Sequence, residues 1–224
     1  MDGILIVDKP KGVTSHDIVD FIRKRFHLKK VGHAGTLDPA ATGVLVILLG
    51  NSTKQFSDFS SHDKEYQGCL TLGTATDSLD GDGRVTEKKE LIGLSLEQVE
   101  AVFRKFLGSI EQIPPMFSAL KHQGKRLYQL ARQGLEVERR VRQVHIYKLK
   151  IAKFLPPQIY FVVKCSKGTY IRSLCQDIAG GLGYPGHLSE LRRVISGPFT
   201  IEQALTFSEL QQFSYQSLQE RTIA

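Results

Sequence analysis

Asp38 is the residue of this chain best placed by its neighbours to do chemistry. It lies in Val31-Gly-His-Ala-Gly-Thr-Leu-Asp-Pro-Ala-Ala-Thr-Gly43, between glycines at 32, 35 and 43, and the apolar run Val44–Leu49 follows at once. Glycine lets a backbone take conformations closed to other residues and lets a ligand approach closely. Pro39 sets the turn after the acid, and Thr36 or Thr42 can tie its ends. A lone carboxylate on a stiff loop beside a buried strand can serve as a nucleophile or a base. The same residues also suit a plain Asp-Pro turn, so the rest of the chain must decide.

Several familiar chemistries lack their residues. There is no Gly-x4-Gly-Lys-Ser/Thr phosphate loop, no dinucleotide fingerprint after the first strand, no Gly-x-Ser-x-Gly elbow, and neither His-Glu-x-x-His nor paired Cys-x-x-Cys. The Asp- and Gly-rich stretch 77–83 lacks the closing glutamate of a calcium loop. Cys69, Cys165 and Cys175 are odd in number and have no metal-ligand spacing, which indicates reduced thiols in a cytosol and no structural zinc. What remains is a reaction needing no cofactor and no metal.

Charge points to the partner. Residues 121–150 carry nine Lys and Arg against Glu136 and Glu138, a surplus of +7 that equals the net charge of the whole chain. A local surplus of this kind is the footprint expected for a nucleic acid, although a solvated charged face has the same composition. His122, Tyr128, His145 and Tyr147 are interleaved with these cations. Rings among cations can stack on unpaired bases.

The elements that must position Asp38 can be read from pattern. Gly3–Val7 reads as a buried strand, and Ser15 offers an N-cap to a helix with Ile18, Val19, Ile22 and Phe26 on one face. Strand 44–49, a helix near 51–60 and a strand over Tyr66–Leu72 follow. Ser95-Leu-Glu-Gln98 is a capping box opening a helix whose face is Val99, Val102, Phe103 and Phe106. Arg126 to Arg132 forms a short helix ending at Gly134. Runs 145–154 and 158–165 make a hairpin through Pro156-Pro157, and Ile171, Leu174, Cys175 and Ile178 mark one side of a helix. Leu191–Ile195 reads as a last strand and Thr206–Phe213 as a terminal helix. Strands and helices in irregular order indicate an α+β fold with a largely antiparallel central sheet flanked by helices. No apolar stretch nears the roughly 20 residues of a membrane span, and Met1–Lys9 does not resemble a signal peptide, so a cytoplasmic protein is expected.

Six segments occur in one order: Asp8-Lys-Pro-Lys-Gly-Val-Thr-Ser-His16, Gly32-His-Ala-Gly-Thr-Leu-Asp-Pro39, Lys64-Glu-Tyr66, Gln112-Ile-Pro-Pro-Met-Phe-Ser-Ala-Leu-Lys121, Lys167-Gly-Thr-Tyr-Ile-Arg172 and Leu191-Arg-Arg193. Together they resemble the TruB family, bacterial tRNA pseudouridine synthases that act on uridine 55 in the T-loop. The resemblance runs from about residue 1 to about residue 200. It implies a pseudouridine synthase fold over 1–198, with a basic, mobile RNA-gripping insertion at about 112–150 and a short extension at 199–224. It implies that uridine becomes pseudouridine in the tRNA T-arm without a cofactor or metal, with Asp38 as the essential carboxylate.

The other roles come from the same resemblance. Arg172 would partner Asp38 and keep it ionised, where a bland reading has an arginine solvated at a helix start. Tyr66 would stack on the target base, Tyr170 and Leu191 would line its pocket, and His33 would help displace the base from the loop. Lys9, Lys11 and Lys64 would contact phosphate or pocket.

Two features depart from the family's pattern. Phe117 stands where relatives often have tyrosine. Only 31 residues follow Arg193, and from Phe199 they hold Arg221 against Glu202, Glu209 and Glu220. No full C-terminal RNA-binding domain is therefore expected. A monomer is expected, since nothing in the pattern requires a dimer. Two alternatives stay open: a tRNA-binding or folding protein whose role is not catalytic, and the same isomerisation on another uridine, for instance in ribosomal RNA.

Overall fold

The computed structural model describes residues 1–223. The chain begins β1 (Gly3–Lys9), α1 (Ser15–Arg25), β2 (Val31–Ala34), β3 (Thr42–Leu49), α2 (Phe56–Ser60), β4 (Lys64–Leu72), β5 (Thr74–Thr76) and β6 (Val85–Lys88). It continues α3 (Leu96–Lys105), β7 (Gly108–Gln112), β8 (Lys121–His122), β9 (Lys125–Arg126), α4 (Leu127–Arg132), β10 (Arg142–Leu155) and β11 (Gln158–Cys165). Last come α5 (Ile171–Gly181), β12 (Gly186–Ser196), β13 (Phe199–Thr200), β14 (Leu205–Thr206), α6 (Phe207–Gln212) and α7 (Tyr215–Arg221). The chain forms two units, one of residues 1–67 with everything from Leu191 onward, the other of Gly68–Glu190.

In the first unit the strand order is β14–β1–β3–β12, with β2 also on β3 and β13 on β12. The run at 44–49 is continuously apolar because both faces of β3 are covered. Leu45, Ile47 and Leu49 pack with Ile18 and Ile22 of α1 and with Phe26, which caps its C-terminus, while Val46 and Leu48 pack with Ile6, Ala34 and Phe199. β1 pairs with β3 antiparallel from Gly3↔Leu49 to Lys9↔Gly43, and β12 joins β3 in parallel at Arg192↔Thr42 and Arg193↔Gly43.

Three expectations change here. The N-cap of α1 is Thr14, not Ser15: Thr14 Oγ1 accepts from Asp17 N at 3.0 Å, and the Asp17 carboxylate accepts from Thr14 N at 2.7 Å. Val31–Ala34, read as loop, is a strand against β3. Within the C-terminal extension, Leu205, Leu210 and Leu218 are buried with Leu5, Val7 and Ile18. Leu191–Ile195 is also not the last strand, because β13 and β14 follow it.

In the second unit β4, β11, β10 and β7 lie side by side. β10 and β11 form the expected antiparallel hairpin, with register shifts at Ile146/Lys148 and Ile151/Lys153. The capping box at Ser95 is present: Ser95 N donates to Gln98 Oε1 at 2.8 Å, and Gln98 N to Ser95 Oγ at 3.3 Å. Val99, Val102 and Phe103 of α3 are buried, and Phe103 meets Phe161 edge-on at 6.3 Å. Gly68 makes room for that ring, since a Cβ there would lie 2.6 Å from it. Ile171, Leu174, Cys175 and Ile178 of α5 are buried, as their spacing predicts. Most strand pairs are antiparallel, with parallel pairs at β1–β14 and β3–β12, so the class is α+β with a mixed sheet.

The basic window divides between two settings. Lys121, Lys125, Arg126 and Arg132 ride on β8, β9 and α4, whereas Arg142, Lys148 and Lys150 belong to β10. Arg132 stands over the Tyr128 ring at 5.5 Å, and His145 and Tyr147 lie 4.7 Å apart.

Candidate active site

Asp38 sits in the connection from β2 to β3, and this connection is held at nearly every residue. Ala41 N donates to Asp38 O at 3.0 Å, closing the turn that Pro39 begins. Gly12 N donates to Pro39 O at 2.9 Å. The Ser15 hydroxyl grips Leu37 twice, accepting from its N at 2.9 Å and donating to its O at 3.0 Å. Thr42 Oγ1 reaches Leu191 O at 3.5 Å, the long limit of a hydrogen bond. The Asp38 backbone is therefore fixed before any ligand arrives.

Two buried cations flank the loop. Lys9 is wholly buried, and its ammonium donates to Pro10 O (2.9 Å), Val13 O (2.7 Å) and Pro39 O (3.4 Å). Burial brings this lysine down to about 8, with the Asp38 charge opposing the fall. That attraction is mutual, so Lys9 favours the charged carboxylate. Arg193 of β12 is 1% exposed and donates from Nε to Val44 O at 2.7 Å and from Nη2 to Gly35 O at 2.9 Å. Its neighbour Arg192 grips Asp8 with two bonds, 3.0 and 2.7 Å. Motif reading gave neither arginine a role.

His33 lies on β2 opposite Ile47, with its Nδ1 buried and without a hydrogen-bond partner. Burial holds its imidazole down to about 4, and the charges of Arg193 and His16 add to the effect. The ring is neutral at ordinary pH. Tyr66 and Lys64 lie on β4, both buried, and Lys64 Nζ donates to Ser60 O at 2.7 Å and His62 O at 2.6 Å. Leu191 is half-buried on β12. Lys11 is exposed.

In the second unit Arg172 is 5% exposed, so the reading of a solvated surface arginine does not hold. Its Nη1 donates to Ser78 O at 3.0 Å and its Nη2 to Phe117 O at 2.7 Å, and Asp80 lies 3.6 Å away as an ion partner. Asp80 comes from the Asp- and Gly-rich stretch that sequence alone gives as loop. Tyr170 caps α5, and the Gln112 side chain bonds both its N (3.0 Å) and its O (3.2 Å). Ser173 Oγ donates to Ile113 O at 2.9 Å, so the start of the insertion is fastened to α5. A cavity of about 860 Å³ in this unit is walled by residues such as Leu79, Phe106 and Arg139, and by Gln112, Ile113 and Phe117 of the Gln112–Lys121 motif, but by none of the residues given a role at the site.

A mixed sheet flanked by helices, with one carboxylate on a loop tied down on both sides, has the architecture of the pseudouridine synthases. The family model described as TruB family pseudouridylate synthase (N terminal domain) matches residues 23–171, and that of the tRNA pseudouridylate synthase B C-terminal domain matches 172–223. The chain belongs to the TruB family. It is 47% identical to tRNA pseudouridine synthase B of Syntrophotalea carbinolica, over 94% of this chain and 69% of that protein. To the protein of the same name from Protochlamydia amoebophila it is 48% identical, over 94% of this chain and 80% of the relative.

Among solved structures, it resembles a chain of a Cbf5-Nop10-Gar1 complex at TM-score 0.76 and 32% identity. A chain of an H/ACA RNP bound to a substrate RNA containing 2'-deoxyuridine is similar at TM-score 0.73 and 29% identity. Each match covers 97% of this chain but little more than half of the other, 56% and 55%.

Proposed function

We propose that this chain isomerises uridine to pseudouridine at position 55 of the tRNA T-loop, with Asp38 as the catalytic carboxylate and without a cofactor. The observation that carries this reading is the pinned Asp38 loop, whose backbone is bonded at residues 35, 37, 38 and 39. The names of the curated relatives supply the substrate. The reaction breaks the N-glycosidic bond, turns the uracil and rejoins it to the ribose through carbon. Atoms are conserved apart from one exchange, in which the hydrogen on the attacking carbon leaves as a proton and the freed ring nitrogen gains one.

Pre-organisation suits this chemistry, because a carboxylate held in place loses little freedom when the nucleotide arrives. A neutral His33 can stack where a base has been displaced without the cost of desolvating a charge. Lys9 acts on the pocket through the loop it holds. Tyr66, Lys64 and Leu191 are proposed as nucleotide contacts, and the roles of Tyr170 and Arg172 in binding the substrate are proposed with them, on the family's motifs. RNA is gripped largely through phosphates by the basic window, so binding weakens steeply with salt.

Tritium release from a tRNA transcript labelled at uracil carbon 5 tests the proposal, since isomerisation must expel that hydrogen. The wild type should release label, and Asp38→Asn should bind tRNA without releasing any. A transcript with cytidine at position 55 should release none, and label still released from it would move the reaction to another uridine. If wild type and Asp38→Asn both bind and neither releases label, the chain is a tRNA-binding protein and the catalytic proposal fails.

A further inference from the structure

Arg193 touches the segment that presents Asp38 at both of its feet. Its Nη2 holds Gly35 O, before the acid, and its Nε holds Val44 O, after it, at 2.9 and 2.7 Å. The backbone of Arg193 is equally close, because it lies opposite Gly43 in the parallel pair of β12 with β3. Gly43 has φ +103°, and a Cβ there would fall 2.1 Å from Arg193 O. One residue thus controls where the loop leaves β2 and where it enters β3.

A buried cation is an expensive way to join two strands that their own ladder already joins. Among the described residues, the guanidinium donates to carbonyls at the two ends of one loop. An arginine suits that task because its donors point in fixed directions from a rigid plane, whereas an ammonium is a single point. Its charge is also felt around the acid, since it helps push Lys9 and His33 down. Removing it would change the aim of the loop and the field in which Asp38 sits, without removing any group that RNA would contact.

We propose that Arg193 is a positioning residue: its guanidinium clamps both feet of the Asp38 loop and so sets the aim of the carboxylate. This inference rests on the function proposed above, and the wild-type control separates the two. The test is tritium release from labelled tRNA by Arg193→Met and Arg193→Lys, with amide hydrogen exchange on the same proteins. In Arg193→Met, kcat should fall about 100-fold or more while KM for tRNA stays within about threefold, because alignment is lost and binding is kept. Arg193→Lys, which keeps the charge and can hold one foot, should recover part of that loss.

Exchange at Leu37 and Ala41 should quicken about tenfold or more in both variants while Ile47, inside the β1–β3 ladder, keeps its wild-type rate. Should Arg193→Met not fold, Arg193→Lys decides alone by the same two readouts. A kcat within about threefold of wild type in the lysine variant, with unchanged exchange at Leu37 and Ala41, overturns the inference. So does exchange that rises equally at Ile47, which would make Arg193 a general stabiliser. A wild type that releases no label refutes the proposed reaction first and takes this inference with it.

Discussion

Ser15→Ala should loosen the Asp38 loop and destabilise the fold in one step. Ser15 is 2% exposed, and its hydroxyl serves both backbone groups of Leu37, itself 3% exposed. The substitution leaves a buried N–H and a buried C=O without that partner, at about 1–3 kcal/mol each. Alanine returns roughly 0.5 kcal/mol as a better helix former at the start of α1. The net loss is about 1.5–5.5 kcal/mol, which for a chain of this size lowers Tm by about 3–20 °C.

Thermal and urea unfolding followed by far-UV circular dichroism measure it, with Thr14→Ala beside it as a control. Thr14 is the helix cap, and its hydroxyl serves α1 and not the loop, so its loss should cost about 1 kcal/mol. In the tritium assay Ser15→Ala should also lose far more kcat than Thr14→Ala. A Ser15→Ala protein within about 0.5 kcal/mol of wild type, or milder than Thr14→Ala, refutes the reasoning.

Three further outcomes are expected. Gly43→Ala should cost more than about 3 kcal/mol, because its Cβ would strike backbone at a positive φ; soluble protein unfolding within about 1 kcal/mol of wild type would contradict the close approach. His33 binds its proton at about 4 when folded and at 6.5 when free, so between those values the unfolded chain holds the extra proton. Stability from this residue is therefore whole above 6.5 and declines as pH falls towards 4, by about 1–2 kcal/mol after discounting for partial exposure. His33→Gln should flatten the fall in urea midpoint between about pH 7.5 and 4.5, and an unaltered slope counts against burial as the cause. Removing Lys125 and Arg126 together should make the dependence of log KM for tRNA on log salt shallower, by about 0.9 for each phosphate no longer neutralised; an unchanged slope takes the β8–β9 turn out of the RNA interface.

The Asp38 loop could be read from sequence because its signals are local: glycines, a proline and an apolar run close together in the chain. The Ser95 capping box and the periodicity of α5 are legible for the same reason. Ser15 misleads because serine before an apolar face resembles a cap, whereas the cap is the threonine before it and the serine points to Leu37, 22 positions away. Arg193 is harder still, since its carbonyl partners lie 149 and 158 positions away and nothing in a sequence marks an arginine as buried. Arg172 is similar, its partners Ser78 and Phe117 being 94 and 55 positions off. β2 escapes notice because four residues containing glycine and histidine show no alternation, and only pairing with β3 makes them a strand.

The first unit is discontinuous in sequence, and this orders events during synthesis. Its outermost bond joins Ile4 to Ile223, N to O in both directions at 2.8 Å. The stretch Gly68–Glu190 leaves the ribosome uninterrupted, so that unit has all its own residues once Glu190 has emerged. The unit carrying Asp38 must wait for roughly 120 further residues after Gln67, on the order of 10 s at about 5–20 residues per second. Through that interval β1 and β3 are without the leucines at 205, 210 and 218 that cover them, which leaves apolar surface exposed on the nascent chain. The Asp38 loop gains its bonds at Gly35 and Val44 from the guanidinium only after residue 193 has been made.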